Sequence, residues 1–201
     1  MKKIQHYITG QWLEGTDEGI PVIDANTVEL IANSAVEGLN VSDALQYGRN
    51  KGDTLRKMTF QERGNIIKKL ALYLTKKKDA FYELSYRTGA TKVDSWIDIE
   101  GGFGNLFANA SLRKLFPNQS YHVEGDAIDL SRGGRFMAHH IMVPMKGIAG
   151  LIVAVNFGVG GMLENCAGGW VGGGGALGLR ARSWGLVGEA GGRGVGSGGV
   201  W

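Results

Sequence analysis

The apolar positions of this chain change period several times, and each change marks an element. Residues 7–13, "YITGQWL", and 22–34, "VIDANTVELIANS", are apolar runs around a Thr-Gly and an Ala-Asn turn, which predicts two hairpins. Ser42 is placed to cap a helix over about 43–51 that stops at Gly52. A stronger signal begins at Thr59. Thr59-Phe60-Gln61-Glu62 is a capping box, and Phe60, Ile66, Ile67, Leu70 and Leu74 follow at helical spacing. Lys76-Lys77-Lys78 then complements the negative end of that helix as a solvated charge run. Further helices are predicted over 79–87, ending at Thr88-Gly89, and over 91–116, ending at Pro117. Gly101, Gly102 and Gly104 inside the second each cost about 1 kcal/mol relative to Ala, so a close backbone neighbour is expected there.

Beyond residue 120 the period becomes two. "YHVEGDAIDL" and "RFMAHHIMVPM" read as strands joined by a tight turn at Gly133-Gly134. Residues 147–157, "GIAGLIVAVNF", are apolar on both faces, as in a buried parallel strand. A helix over 159–171 and a strand over 175–179 would complete a βαβ unit. After about 180 neither period persists.

Composition narrows the class. A net charge of +3, with 22 basic and 19 acidic residues interspersed mostly over 1–146, leaves no nucleic-acid footprint. A single cysteine, Cys166, excludes an internal disulfide and suits a reducing compartment. No signal-peptide pattern or 18-residue apolar span occurs, so a cytoplasmic protein without a membrane partner is expected. Glycine is the anomaly. Residues 158–201 hold 18 glycines in 44 positions, where average usage gives about three.

That richness suggests a phosphate loop, and the residues argue against one. No lysine follows Lys146, so a P-loop lacks its ammonium. Gly158-Val159-Gly160-Gly161-Met162-Leu163 has Leu at the third glycine of the dinucleotide fingerprint, and the match at 194–199 lies in sequence too glycine-rich to be informative. His139 and His140 are adjacent, so on a strand they face opposite sides and cannot share a metal ion; no metal site is assigned. Cys166, on an apolar helix face, reads as a small core residue rather than a nucleophile. Asp94, Asp98 and Glu100 read as solvated or capping acids. Asn156, at a strand end, either caps the strand or donates to an oxyanion.

"YITGQW", "LRKMTFQERG", "TGATKVDSWIDIEGGFGNLFANASLRKLFP" and "GRFMAHHIMVPMKGIAGLIVAVNF" together resemble the start of the aldehyde dehydrogenase superfamily over about residues 1–167. The similarity is greatest to the aldehyde dehydrogenase half of the bifunctional ring-opening enzymes of phenylacetate catabolism. Dehydrogenases acting on the CoA-linked semialdehyde of aerobic benzoate breakdown are similar too. The resemblance implies an α/β fold: a partial Rossmann-like cofactor domain over 1–181, with an N-terminal helical layer and a β oligomerisation arm starting at 121–135. It implies thiolate addition to an aldehyde, hydride transfer to NADP or NAD, and thioester hydrolysis, in a homo-oligomer. Asn156 falls on the family's oxyanion asparagine, and Val153, Ala154, Val155 and Leu179 fall on its cofactor wall.

Departures accompany the match. The proline of the family's NFP motif is Gly158, and its ribose-binding lysine is Leu179, which cannot donate to a hydroxyl. The catalytic Cys, the general-base Glu and the nicotinamide-side motifs lie further along in relatives, so these residues are expected to be an N-terminal part, inactive by themselves. Residues 182–201 are expected to form a disordered Gly-rich tail. Replacement towards guanine-rich codons suggests that the glycines mark lost family residues. The other reading is a non-catalytic assembly chain that keeps the helical layer and the arm.

Overall fold

The computed structural model describes residues 2–180 and 197–200; the side chains of 155, 176–180 and 197–200 are outside that description. Two hairpins open the chain: β1 (His6–Ile8) with β2 (Gln11–Leu13), and β3 (Ile20–Ile23) with β4 (Leu30–Ser34). The first turns where predicted, with Thr9 and Gly10 both at positive φ (53° and 84°), the twist that a two-residue hairpin needs. Five α-helices follow, α1 (Val41–Lys57), α2 (Phe60–Thr75), α3 (Lys78–Arg87), α4 (Lys92–Ser111) and, later, α5 (Gly160–Val171). Between α4 and α5 lie an antiparallel ribbon, β5 (His122–Asp129) with β6 (Met137–Met142), and strand β7 (Ile148–Val153).

The βαβ unit forms as expected. β7 pairs in parallel with β8 (Gly175–Arg180), with α5 as the crossover, Ile148 opposite Gly175 and Val153 opposite Arg180. β9 (Ser197–Val200) adds to β8 antiparallel, so four positions expected to lie in a structureless tail carry a strand. The rest of that tail lies outside the described residues. The core joins α2, α4 and α5 through Ile67, Ala71, Ile99, Phe103, Leu106, Ala110, Leu163 and Ala167. Phe81 of α3 meets Phe103 edge-on at 5.7 Å.

Several boundaries move, for local reasons. The first helix begins two residues earlier than predicted, because Asn40 rather than Ser42 accepts the Asp43 amide at 3.2 Å. Gly52 does not stop it: it is buried mid-helix, where a Cβ would lie 3.2 Å from Arg56 Nη1 and, at ordinary contact distance, 3.7 Å from the Gly175 nitrogen of β8. On α2 the capping box is present in both directions, but the buried face is Arg63, Gly64, Ile67 and Ala71, and Ile66 is exposed. Lys78 is not merely solvated, because its ammonium meets Glu100 of α4 at 3.1 Å. α4 gives way to a 3-10 turn at Leu112–Lys114, and β7 gives way to another at Val155–Phe157, four residues earlier than the strand was predicted to end.

The α4 glycines divide. A Cβ on Gly102 would come within 2.9 Å of the Gly160 Cα, whereas Gly101 and Gly104 face open space. Only Gly102 marks a close backbone approach. Gly101→Ala should therefore stabilise the protein by about 0.5–1 kcal/mol in equilibrium denaturation, and Gly102→Ala should cost about 1–3 kcal/mol by forcing α4 and α5 apart.

Candidate functional site

The C-terminal end of β7 is where strand, turn and helix meet. Val153 is buried and closes the strand, and its Cγ1 would lie 3.7 Å from a Cβ on Gly161 in the first turn of α5. Ala154 remains extended (φ −70°, ψ 145°), the 3-10 turn carries Val155, Asn156 and Phe157, and α5 starts three residues later. Across the parallel register, Leu179 stands opposite Ile152 and Arg180 opposite Val153. The five predicted site residues thus share one end of the sheet. Asn156 is exposed, and its side chain makes no hydrogen bond among the described residues.

α5 has no cap of its own, since Val159 at the N-cap lacks a side-chain acceptor. The cap comes from α4. Asp98, 7% exposed, accepts from the Gly160 amide at 2.6 Å and the Val159 amide at 3.1 Å. Such charge-assisted bonds at a helix N-terminus are the strong kind, and the dipole adds to them. They also occupy the amides that a phosphate would use and place a carboxylate there instead. These two amides are therefore not open to a phosphate. Gly160 itself is required by contact: a Cβ would lie 2.7 Å from the Phe157 ring, 2.9 Å from the Asp98 carbonyl oxygen and 3.0 Å from its Oδ1. At Gly173, φ is +82° and a Cβ would lie 2.9 Å from Pro144. At these two positions glycine has a steric role of its own.

Cys166 lies two turns into α5 with no exposed surface, and burial pushes its thiol up to about 11. It is a core residue, as its apolar face predicted. His139 and His140 lie on β6 with exposed side chains, and His140 Nδ1 is 3.9 Å from Glu124 Oε2. Asp94 caps its own helix with Thr91, whose hydroxyl donates to Asp94 Oδ2 at 2.6 Å. Asp98 takes the capping role open to it, but on a helix whose N-cap lies 61 residues on, which no local pattern signals. Arg63 was missed entirely, although its spacing with Ile67 and Ala71 places it on the core face of α2. It is 1% exposed and donates to the carbonyls of Val171 (2.8 Å), Met58 (2.5 Å) and Leu55 (3.4 Å).

A parallel βαβ unit with its turn at the strand's C-terminal end, entered through a helical layer and a projecting ribbon, defines a Rossmann-like α/β protein. The chain matches the aldehyde dehydrogenase family over residues 12–173, and it belongs to that family. It is 30% identical over 167 residues to a 3,4-dehydroadipyl-CoA semialdehyde dehydrogenase of Aromatoleum evansii, covering 82% of this chain and 32% of that protein. Its fold is that of an NAD-dependent benzaldehyde dehydrogenase from Corynebacterium glutamicum (TM-score 0.75, 19% identity, 90% of this chain and 38% of the other). The fold is shared with a salicylaldehyde dehydrogenase from Pseudomonas putida G7 complexed with salicylaldehyde (TM-score 0.71, 18% identity, 88% and 35%). The chain therefore spans about a third of the length of the relatives it matches. Among the described residues, no helix is long and apolar enough to cross a membrane.

Proposed function

We propose that these residues are the N-terminal part of the NAD(P)-binding domain of a cytoplasmic aldehyde dehydrogenase that oxidises a CoA-linked semialdehyde in aerobic aromatic catabolism. The observation that carries the reading is Asn156, exposed on a turn at the C-terminal end of a parallel strand, with its amide free of protein partners among the described residues. When a nucleophile adds to the aldehyde carbon, the carbonyl π electrons move to oxygen, and the Asn156 Nδ2–H donates to that oxyanion. Of these residues Cys166, buried and hard to ionise, does not supply the thiolate.

The fit to the cofactor is partial. Val153, Ala154, Val155 and Leu179 form one end of the sheet, and Leu179 offers no donor to a ribose hydroxyl. The Val159 and Gly160 amides at the start of α5 are taken by Asp98. Residues of these apolar types suit a ring face of NADP or NAD and offer no donor to its sugar hydroxyls or phosphates. NAD(P)⁺ supplies the hydride acceptor in such chemistry. The β5–β6 ribbon, with Ile128, Phe136, Met137 and Ile141 exposed, supports the oligomerisation arm begun at 121–135 and hence a homo-oligomer.

The test is aldehyde-dependent NAD(P)H formation by the purified gene product, with a CoA-linked semialdehyde compared with benzaldehyde. A higher kcat/KM for the CoA-linked substrate is expected. A polypeptide limited to these 201 residues should form none, because its single thiol is buried. Absence of turnover in the gene product, with the protein still oligomeric, would favour the assembly reading that the exposed ribbon and buried Cys166 support.

A further inference from the structure

We infer that Asp98 is a positioning residue for the oxidation step, acting through the turn that carries Asn156; this rests on the role proposed for Asn156. The turn from Ala154 to Gly158 is a short bridge between two anchors. At one end Val153 is buried at the close of β7, and at the other the first turn of α5 is held by the Asp98 carboxylate. Between them Asn156 makes no hydrogen bond among the described residues, so its place is set by what fixes the ends of the bridge.

Three features make Asp98 the second anchor. Val159, a β-branched residue at the N-cap, leaves the helix without a local acceptor, so the two first amides depend on a residue 61 and 62 positions away. Asp98 lies one turn before Gly102 on the same face of α4, and Gly102 and Gly160 bring the two backbones within reach. The space is saturated as well. Phe157, next to Asn156, touches the position a Gly160 Cβ would take, and the Asp98 carbonyl and carboxylate oxygens line the rest of it. A shift of Asp98 therefore reaches the turn through both hydrogen bonds and packing. Displacements of about 1 Å in a catalytic group can cost about 10²-fold in rate.

The experiment pairs hydrogen exchange with kinetics on the purified gene product and its Asp98→Ala and Asp98→Asn variants. In Asp98→Ala, exchange in peptides covering 155–163 should rise about 10- to 100-fold, the equivalent of losing charge-assisted bonds, while peptides of α2 change less than about twofold. The kcat for aldehyde oxidation should fall at least about 10-fold with KM for the aldehyde nearly unchanged. Asp98→Asn keeps one acceptor and should be intermediate in both readouts, a graded rescue that general loss of stability would not produce; it also serves if Asp98→Ala does not fold. Unchanged exchange at 155–163 overturns the inference. So does a loosened turn with kcat intact in a protein where Asn156→Ala lowers kcat. If the turn loosens but Asn156→Ala leaves kcat intact, the role proposed for Asn156 fails, and with it the positioning role.

Discussion

Arg63→Ala is expected to destabilise the protein by about 3–4 kcal/mol, the largest stability loss for any single side chain in the helical layer. Arg63 joins three chain segments. Its Nε donates to the Val171 carbonyl at the end of α5, and its Nη1 donates to the Met58 and Leu55 carbonyls at the end of α1. Helix C-termini carry partial negative charge on carbonyls without intrahelical partners, so a buried cation is favourable there. The Arg63 Cζ also lies 4.6 Å from the centroid of the Phe60 ring. Burial pushes the Arg63 pKa down, but the group remains a cation at neutral pH. Removing it takes this donor from the part-buried Val171 and Met58 carbonyls, while the Leu55 carbonyl keeps the Met58 amide, and it leaves a cavity. Arg63→Lys should recover less than half of the loss, since a point charge cannot span carbonyls on two helices as a planar fork does. The measurement is the denaturant midpoint at unchanged m-value, and a loss below about 1 kcal/mol would show that water replaces the guanidinium.

Asn156→Ala is expected to lower kcat for aldehyde oxidation by the gene product about 10²- to 10³-fold while leaving KM and thermal stability nearly unchanged. The separation of effects follows from geometry. Asn156 is exposed on its turn and makes no protein hydrogen bond among the described residues, so the folded state loses little without it. The oxyanion loses a donor that acts only when charge has moved to oxygen, and that is the condition for an effect on kcat rather than on binding. Asn156→Asp should be at least as impaired, because a carboxylate repels the developing charge. A kcat within about threefold of the parent would remove Asn156 from the chemistry.

The local elements were legible because their causes are local. The Thr59 capping box, the Thr-Gly hairpin turn and the doubly apolar run before Ala154 each depend on residues a few positions apart, and each appears close to where the pattern placed it. The family was legible from longer motifs for the same reason. Misreadings arose where a distant neighbour decides. Gly52 looked like a helix stop, but β8 packs against it; Gly101 and Gly102 looked equivalent, but α5 passes only one of them. The proposed oxyanion donor, Asn156, is placed by its motif, whereas no local pattern shows that Asp98 caps the helix that follows its turn.

The kinds of element, the βαβ order and the aldehyde dehydrogenase family were legible in the chain, and Asn156 could be proposed from its motif, because periodicity, caps and motifs are written in neighbouring residues. Tertiary structure decided that Asp98 caps α5 rather than water, that Arg63 closes two helix ends, and that Gly160 has no room for a Cβ. These depend on pairings 62 and 108 residues apart, and a side chain's hydrogen-bond partner at such a distance is set by packing, on which the local pattern is silent.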